Sequence, residues 1–156
     1  MNPIRVCFVC LGNICRSPTA EAVFLDRLER AGLRDAFVVD SAGTSAHHVG
    51  EQAHPDSRAE AERRGIHVPS ISRQFVAGDF DRFDWVVAMD TSNQRNLERL
   101  APDAASRKKI VLFRDYDPNT PDGTSVPDPY YEGGFDKVYD ICEAAADGLL
   151  ASLQSS

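Results

Sequence analysis

The amino-acid sequence predicts one α/β domain of the doubly wound type, and three observations lead to this prediction. Short apolar runs typical of buried strands alternate with longer segments that carry an apolar stripe at helical spacing. A chain of 156 residues is large enough for one well-formed core. The sequence contains no internal repeat and no linker-like segment. We therefore expect residues 1–156 to form a single domain.

The first part of the sequence predicts a unit of strand, helix and strand. Ile4–Val9 is a short apolar, β-branched and aromatic run, which predicts a buried strand. Ser17 is a suitable N-cap and Pro18 a suitable first helical residue, so a helix should begin there and end at Gly32. Phe37–Gly43 should form a second, parallel strand. The charged residues that fall largely outside the helix's apolar stripe are Glu21, Asp26, Arg27, Glu29 and Arg30.

The same alternation continues to the end of the chain. The further predicted elements are a charged helix over Pro55–Arg64, a strand over Asp84–Asp90, a helix capped by Thr91 or Ser92, a strand over Ile110–Phe113 and a helix over about Phe135–Leu153. Arg114–Pro129 is rich in Asp, Pro, Gly and Ser and has no regular pattern. Long loops in compact domains are usually functional or disordered, and the sequence pattern of this one leaves both open.

The segment from Cys10 to Pro18 has the clearest chemical character. A loop that ends at a helix N-terminus offers unpaired backbone N–H groups and the positive end of the helix dipole, which favour a bound anion. Arg16 adds a two-pronged donor matched to phosphate. These groups should also stabilise a thiolate at Cys10. The spacing Cys-x5-Arg is a weak pattern alone, but its place between strand and helix, with Gly12 and Asn13 inside, strengthens it.

The composition narrows the partners and the location that we expect. A net charge of -7 and a pI near 5.0 argue against a surface for nucleic acid or anionic membranes. The sequence shows neither a signal-peptide pattern nor an apolar run of about 18 residues. Its 4 cysteines lack the paired spacing of disulfide-rich secreted domains, and no zinc pattern is present. We expect a cytoplasmic monomer.

Four motifs, in order along nearly the whole chain, make this sequence resemble the low-molecular-weight protein tyrosine phosphatase family. They are Cys10-Leu11-Gly12-Asn13-Ile14-Cys15-Arg16-Ser17-Pro18, Asp40-Ser41-Ala42-Gly43-Thr44, Met89-Asp90 with Asn93, and Asp128-Pro129-Tyr130-Tyr131. The resemblance implies a four-stranded parallel sheet with helices on both faces. It also implies hydrolysis of phosphotyrosine and small aryl phosphates through a phosphocysteine, with no cofactor and no metal.

The resemblance also implies roles for individual residues. Cys10 would be the nucleophile, Arg16 would hold the phosphate, and Asp128 would act as general acid and then as base. Cys15 would trap an oxidised Cys10 as a reversible disulfide, although a small apolar filler under the loop is an equally good reading. The remaining implied sets are the phosphate-binding residues Leu11, Gly12, Asn13, Ile14, Cys15, Arg16 and Ser17, the supporting residues Asn13, Ser17, Ser41, Ser70 and Asp90, and the substrate-pocket residues Leu11, His47, Tyr130 and Tyr131.

Two positions depart from the family pattern. Many members have a His where this chain has Ser70, three residues before Arg73. Ser70 can still hydrogen-bond to the supporting Asn and Ser residues, but it cannot carry a positive charge. His47 stands where relatives often have Trp or Tyr, so we expect altered peptide preference and added pH sensitivity.

Three other functions fit parts of the pattern. Arsenate reductases of the same fold need two further cysteines as a disulfide relay, and no cysteine lies between Cys15 and Cys142. Protein-arginine phosphatases are associated with Thr at the position of Ile14 and lack the paired tyrosines. A non-catalytic phosphate-binding module would keep the cradle without the chemistry. The expected partners remain phosphotyrosine proteins and inorganic phosphate or other oxyanions.

Overall fold

A computed structural model describes residues 2–130 and 133–155 of the chain. Its centre is one sheet of four parallel strands in the order β2-β1-β3-β4, which confirms the predicted fold class. The strands are β1 (Ile4–Cys10), β2 (Phe37–Gly43), β3 (Trp85–Ala88) and β4 (Ile110–Leu112).

Helices connect the strands and follow the last one. They are α1 (Arg16–Arg30), α2 (Pro55–Arg63), α3 (Asp79–Arg82), α4 (Thr91–Leu100), α5 (Ala104–Arg107) and α6 (Phe135–Gln154), with 3-10 turns at Arg34–Ala36 and Phe113–Tyr116. The sequence did not predict α3, α5 or the 3-10 turns, because three or four residues are too few to show a period. Within the described ranges, no helix is long and apolar enough to cross a membrane.

The central strand β1 is apolar on both sides because both faces of the sheet are covered. Val6 and Phe8 pack with side chains of α1 and α6. Cys7 and Val9 face the other way, into a second core cluster formed largely by residues between 75 and 112. This alternation is the period of a strand buried on both faces.

Two predicted helix caps are wrong, and the difference bears on the site. Helix α1 begins at Arg16, with Cys15 as an N-cap that makes no side-chain cap bond. Ser17 therefore lies inside the first turn, where its hydroxyl reaches the Cys10 sulfur instead of the helix backbone. Helix α4 is capped by Asp90, whose Oδ1 accepts a hydrogen bond of 2.6 Å from the Asn93 amide.

Parallel pairing brings the carboxyl ends of three strands to the same edge. Cys10 pairs with Gly43 at the ends of β1 and β2. The Met89 amide, just after β3, donates to the Val9 carbonyl at 3.0 Å. The long loop reaches this edge too, because the Val126 amide donates to the Met89 carbonyl at 2.8 Å. Ligands of doubly wound folds bind at such an edge.

Candidate active site

The loop between β1 and α1 turns its carbonyl groups outward. The carbonyls of Cys10, Leu11, Gly12 and Ile14 accept hydrogen bonds from the Thr44 amide, the Ser45 amide, the Ser72 hydroxyl and the His54 amide, respectively. In a trans peptide unit the N–H points opposite to the C=O. The N–H groups of the loop are therefore left to face its interior, where a bound oxyanion would accept from them.

Asn13 gives the loop its tight curvature. Its φ of 57° is the positive φ of a left-handed residue, and no other non-glycine residue in the described ranges has one. Asn tolerates this conformation better than most residues, since its side chain can hydrogen-bond locally. The Asn13 backbone amide lies 3.2 Å from the Cys10 Sγ, so the turn aims a donor at the sulfur.

A buried chain of hydrogen bonds supports the sulfur from below. The Ser17 Oγ lies 3.0 Å from the Cys10 Sγ. The Asn13 Nδ2 donates to the Ser17 Oγ at 2.8 Å and to the Ser41 Oγ at 3.0 Å. Three of the predicted supporting residues are thus brought together, although no local pattern links Ser41 to Asn13, which lies 28 positions earlier.

The guanidinium of Arg16 is buried and held from two sides. Its side chain is only 5% exposed, and its Nη1 contacts the Asp90 Oδ2 at 2.6 Å and the Val126 carbonyl at 3.2 Å. Its Nη2 lies 3.6 Å from the Asp128 Oδ2. Burial opposes its charge, but the Cys10 sulfur and the two carboxylates prevail and raise the pKa of Arg16 above its ordinary value. Arg16 is therefore a fixed cation at the end of the loop.

The loop forms the floor of an open cavity of about 460 Å³. The lining residues are Cys10, Leu11, Gly12, Ile14, Cys15, Arg16, Ser45, His47, His48, Asp128 and Tyr130. Asp128 stands at the mouth with a side chain 43% exposed, and its Oδ1 accepts from the Tyr130 amide at 3.0 Å. The cavity thus joins the predicted nucleophile, cation and acid in one space.

Some predicted site residues lie elsewhere. Asn13 and Ser17 are buried behind the sulfur and do not line the cavity. The structure does not bring Ser70 into the hydrogen-bond chain, because its buried hydroxyl has no partner within the described residues. Its place beside the loop is taken by the next two polar residues, since Ser72 bonds the Gly12 carbonyl and the Arg73 amide donates to the Asn13 Oδ1 at 3.1 Å. Tyr131 lies outside the described residues.

The sequence leaves the pair His47 and His48 open between plain loop histidines and substrate contacts, and both line the cavity, with the His48 ring 5.9 Å from the Tyr130 ring. Sequence reasoning missed two other residues of the site. Ser45 also lines the cavity. Glu21, expected outside the apolar stripe of α1, is only 5% exposed and accepts from the Ser41 Oγ at 2.6 Å. In the structure its neighbours Ala20 and Ala22 are both buried, and a carboxyl in such a setting needs a partner.

The fold and this loop define an α/β protein with an oxyanion cradle that carries a cysteine at the end of its central strand. A family model described as low molecular weight phosphotyrosine protein phosphatase matches residues 5–156. The chain belongs to this family, as its motifs predicted.

Individual relatives agree with the family assignment. The chain is 48% identical over 153 residues to a low molecular weight protein-tyrosine-phosphatase from Streptomyces coelicolor, with 96% of this chain and 93% of the relative covered. It is also similar to the crystal structure of a protein tyrosine phosphatase from Entamoeba histolytica with Hepes in the active site, at a TM-score of 0.93 and 41% identity, with 97% of each chain covered. The structure of a Drosophila arginine phosphatase matches at a TM-score of 0.88 and 32% identity, covering 96% of this chain and 98% of that one.

Proposed function

We propose that this protein is a phosphatase that hydrolyses phosphotyrosine in proteins through a phosphocysteine intermediate. The observation that carries the proposal is the single cavity surface shared by Cys10, Arg16 and Asp128. It unites a sulfur, a fixed cation and an exposed carboxyl above a cradle of inward-facing amides, which are the groups that phosphate-ester cleavage by a thiol requires.

In the first step the Cys10 thiolate attacks phosphorus and forms a phosphorus–sulfur bond. The bond between phosphorus and the tyrosine oxygen breaks, and Asp128, in its protonated form, gives its proton to that oxygen. Arg16 and the loop amides bind the equatorial oxygens as charge spreads over them. The contact of 3.0 Å between Ser17 and the Cys10 sulfur stabilises the thiolate before the attack.

In the second step a water molecule attacks the phosphorus of the phosphocysteine. Asp128, now a carboxylate, accepts a proton from this water while the phosphorus–sulfur bond breaks. Inorganic phosphate leaves and the Cys10 thiolate is restored. The open position of Asp128 at the mouth, 3.6 Å from Arg16, supports a role on both the leaving group and the water.

The walls of the cavity favour an aromatic ester as substrate. Leu11 is 51% exposed and Tyr130 39% exposed, so both offer apolar surface at the mouth. His47 and His48 complete that wall. Flat rings stack well against such side chains. The Streptomyces coelicolor protein-tyrosine-phosphatase is 48% identical to this chain, whereas the Drosophila arginine phosphatase is 32% identical.

The natural partners follow from this chemistry. We propose that the protein acts as a cytoplasmic monomer on phosphotyrosine proteins and that inorganic phosphate or other oxyanions bind as product or inhibitor. The net charge of -7 supports a surface that does not attract nucleic acid or anionic membranes.

Replacement of the proposed acid tests the mechanism. Asp128→Asn should hydrolyse phosphotyrosine about a hundredfold more slowly than the parent, because the amide cannot give a proton to the leaving oxygen. The loss should be smaller with p-nitrophenyl phosphate, whose leaving group needs less protonation. Steady-state rates without added metal measure both effects.

Asp122→Asn is the matched control, since Asp122 is an exposed aspartate of the same loop. It should retain the parent's rates on both substrates. If Asp128→Asn loses the same factor on both substrates, Asp128 does not act as the acid.

Cys15 gives the site a proposed protection against oxidation. Cys10 and Cys15 line the same cavity, and both are free thiols. Burial, followed by the charges of Cys10 and Asp128, raises the pKa of Cys15 to about 12, so Cys15 remains a thiol until Cys10 is oxidised. A sulfenic acid on Cys10 would then condense with this thiol, releasing water and forming a disulfide.

Peroxide treatment tests this protection. The parent should recover most of its activity with dithiothreitol, whereas Cys15→Ala should recover severalfold less, because its sulfenic acid proceeds to irreversible oxidation. Activity after reduction and the mass of the Cys10 peptide measure the outcome. Equal recovery in both proteins would argue that Cys15 is only a packing residue.

A further inference from the structure

Glu21 is a buried carboxyl at the far end of the hydrogen-bond chain that supports Cys10. It lies on α1, is only 5% exposed, and its Oε1 accepts a hydrogen bond of 2.6 Å from the Ser41 hydroxyl. Ser41 accepts in turn from Asn13, which also donates to Ser17 beside the sulfur. Glu21 thus reaches the nucleophile through three side chains.

Glu21 completes the set of donors and acceptors in this row of hydrogen bonds. Asn13 uses both protons of its Nδ2 on Ser41 and Ser17, and its Oδ1 accepts from the Arg73 amide. Each serine hydroxyl therefore accepts from Asn13 and keeps one proton to donate. The Ser41 proton goes to Glu21, and the Ser17 proton goes to the Cys10 sulfur, with the Ala42 carbonyl a longer alternative at 3.4 Å.

A protonated Glu21 weakens this arrangement. Its carboxylic acid is a poorer acceptor than a carboxylate, so the bond from Ser41 loses its charge assistance. If the acid donates to Ser41 instead, the Ser41 hydroxyl accepts from both Glu21 and Asn13, and its own proton loses the acceptor that the carboxylate supplied. The ionised form of Glu21 is therefore the form that satisfies the donors and acceptors of the hydrogen bonds through Ser41, Asn13 and Ser17.

We propose that Glu21 is a positioning residue for Cys10, whose carboxylate fixes the direction of the hydrogen bonds through Ser41, Asn13 and Ser17. The orientation of Asn13 matters twice, because the same residue holds the left-handed turn that aims its own amide at the sulfur. This inference rests on the proposed function only for its kinetic consequence, since the geometry concerns the thiol itself.

The surroundings make Glu21 titrate near neutral pH. Burial raises its pKa to about 7, against the opposing hydrogen bond from Ser41. Asp40 on β2 adds to the rise, while Arg73 and Arg34 oppose it. Both arginines have other partners, since the Arg73 Nε contacts Asp40 at 3.0 Å and Arg34 donates to the Phe37 carbonyl. Glu21 is therefore neutral in mild acid and ionised in mild base.

Stability and reactivity should respond to Glu21 in opposite directions. Because its pKa is raised from 4.5 to about 7 on folding, the folded state binds the extra proton between these values. The stabilisation is fully present below the lower value and is lost as the pH rises through the upper one. In Glu21→Gln this loss should vanish, so the variant should melt at a higher temperature than the parent in mild base.

The test compares Glu21→Gln with the parent at about pH 5.5 and at about pH 8, on either side of the Glu21 titration. The two rates measured are hydrolysis of p-nitrophenyl phosphate and alkylation of Cys10 by iodoacetamide, located by peptide mass spectrometry. In mild acid residue 21 is neutral in both proteins, so we expect rates within about twofold. In mild base the parent should be about tenfold faster in both measurements, although Glu21→Gln is then the more stable protein.

Two further variants complete the comparison. Glu21→Ala removes the acceptor at every pH and should be slow under both conditions. Glu60→Gln is the matched control, because Glu60 is a buried glutamate of α2 that pairs with Arg63 and Arg64. Its ratio to the parent should be the same at both pH values.

The outcomes separate the two proposals. A parent-to-variant ratio for Glu21→Gln that does not change between the two pH values would overturn the positioning role. If the parent fails to hydrolyse the aryl phosphate, the proposed function fails, and the alkylation rates still decide the role of Glu21.

Discussion

Cys10→Ser should lose turnover of aryl phosphates by a factor of at least about 10⁴. The hydroxyl of serine is far less acidic than a thiol, and the hydrogen bonds from Ser17 and the Asn13 amide are too few to ionise it. The cradle itself stays intact, because bonds to the outward-facing carbonyls hold the loop and Asp90 holds Arg16. Hydrolysis of p-nitrophenyl phosphate measures the loss, and calorimetric titration with inorganic phosphate measures the binding that remains.

The control for this variant is Cys142→Ala, which changes a cysteine buried in α6 away from the cavity. It should lower stability while leaving turnover within a few-fold of the parent. If Cys10→Ser keeps about a hundredth of the parent's rate or more, another group attacks phosphorus.

Arg16→Lys should reduce kcat/KM by about a thousandfold while keeping the positive charge. Lysine presents one point charge in place of a planar fork, so it cannot serve an oxyanion, the Asp90 carboxylate and the Val126 carbonyl together. The Val126 contact lies two residues before Asp128, and its loss should also loosen the acid. Phosphotyrosine kinetics with KM and kcat resolved separately measure the effect.

Arg30→Lys offers the comparison, since the side chain of Arg30 is 65% exposed and pairs with Asp26 in the last turns of α1. Surface pairs of this kind contribute little, so the rates should be those of the parent. A loss in Arg16→Lys confined to KM would show that Arg16 binds the ground state without stabilising the transition state.

The sequence predicted the sheet and the long helices because their signals are local. Each of β1, β2, β3 and β4 is a short apolar run bounded by polar or turn residues, and the apolar stripe of α6 extends over five turns. The caps of α1 and α4 were predicted wrongly for the opposite reason. The Ser17 hydroxyl contacts the Cys10 sulfur instead of capping α1, and Asp90 both caps α4 and pairs with Arg16, which lies 74 positions away in the chain.

In the candidate site, too, local sequence signals revealed some residues, whereas residues that act through distant contacts were missed. The motif residues Cys10 and Arg16 lie together within one loop, and the resemblance to a family extended the set to Asp128. Glu21 escaped detection because a helical period reports which face a residue is on, and not whether a serine on β2 lies opposite it. The roles of Ser72 and Arg73 likewise depend on contacts 60 positions along the chain.

The outward-facing carbonyls of the Cys10 loop have a consequence for how substrate specificity can evolve on this fold. The proposed chemistry depends on backbone amides and on a buried row of side chains, whereas His47 and Tyr130 line the rim of the cavity, where they would contact a substrate. Substitutions at the rim leave every bond under the sulfur in place. Substrate specificity can therefore change in evolution through a few exposed aromatic side chains, while the loop and its buried hydrogen bonds stay the same.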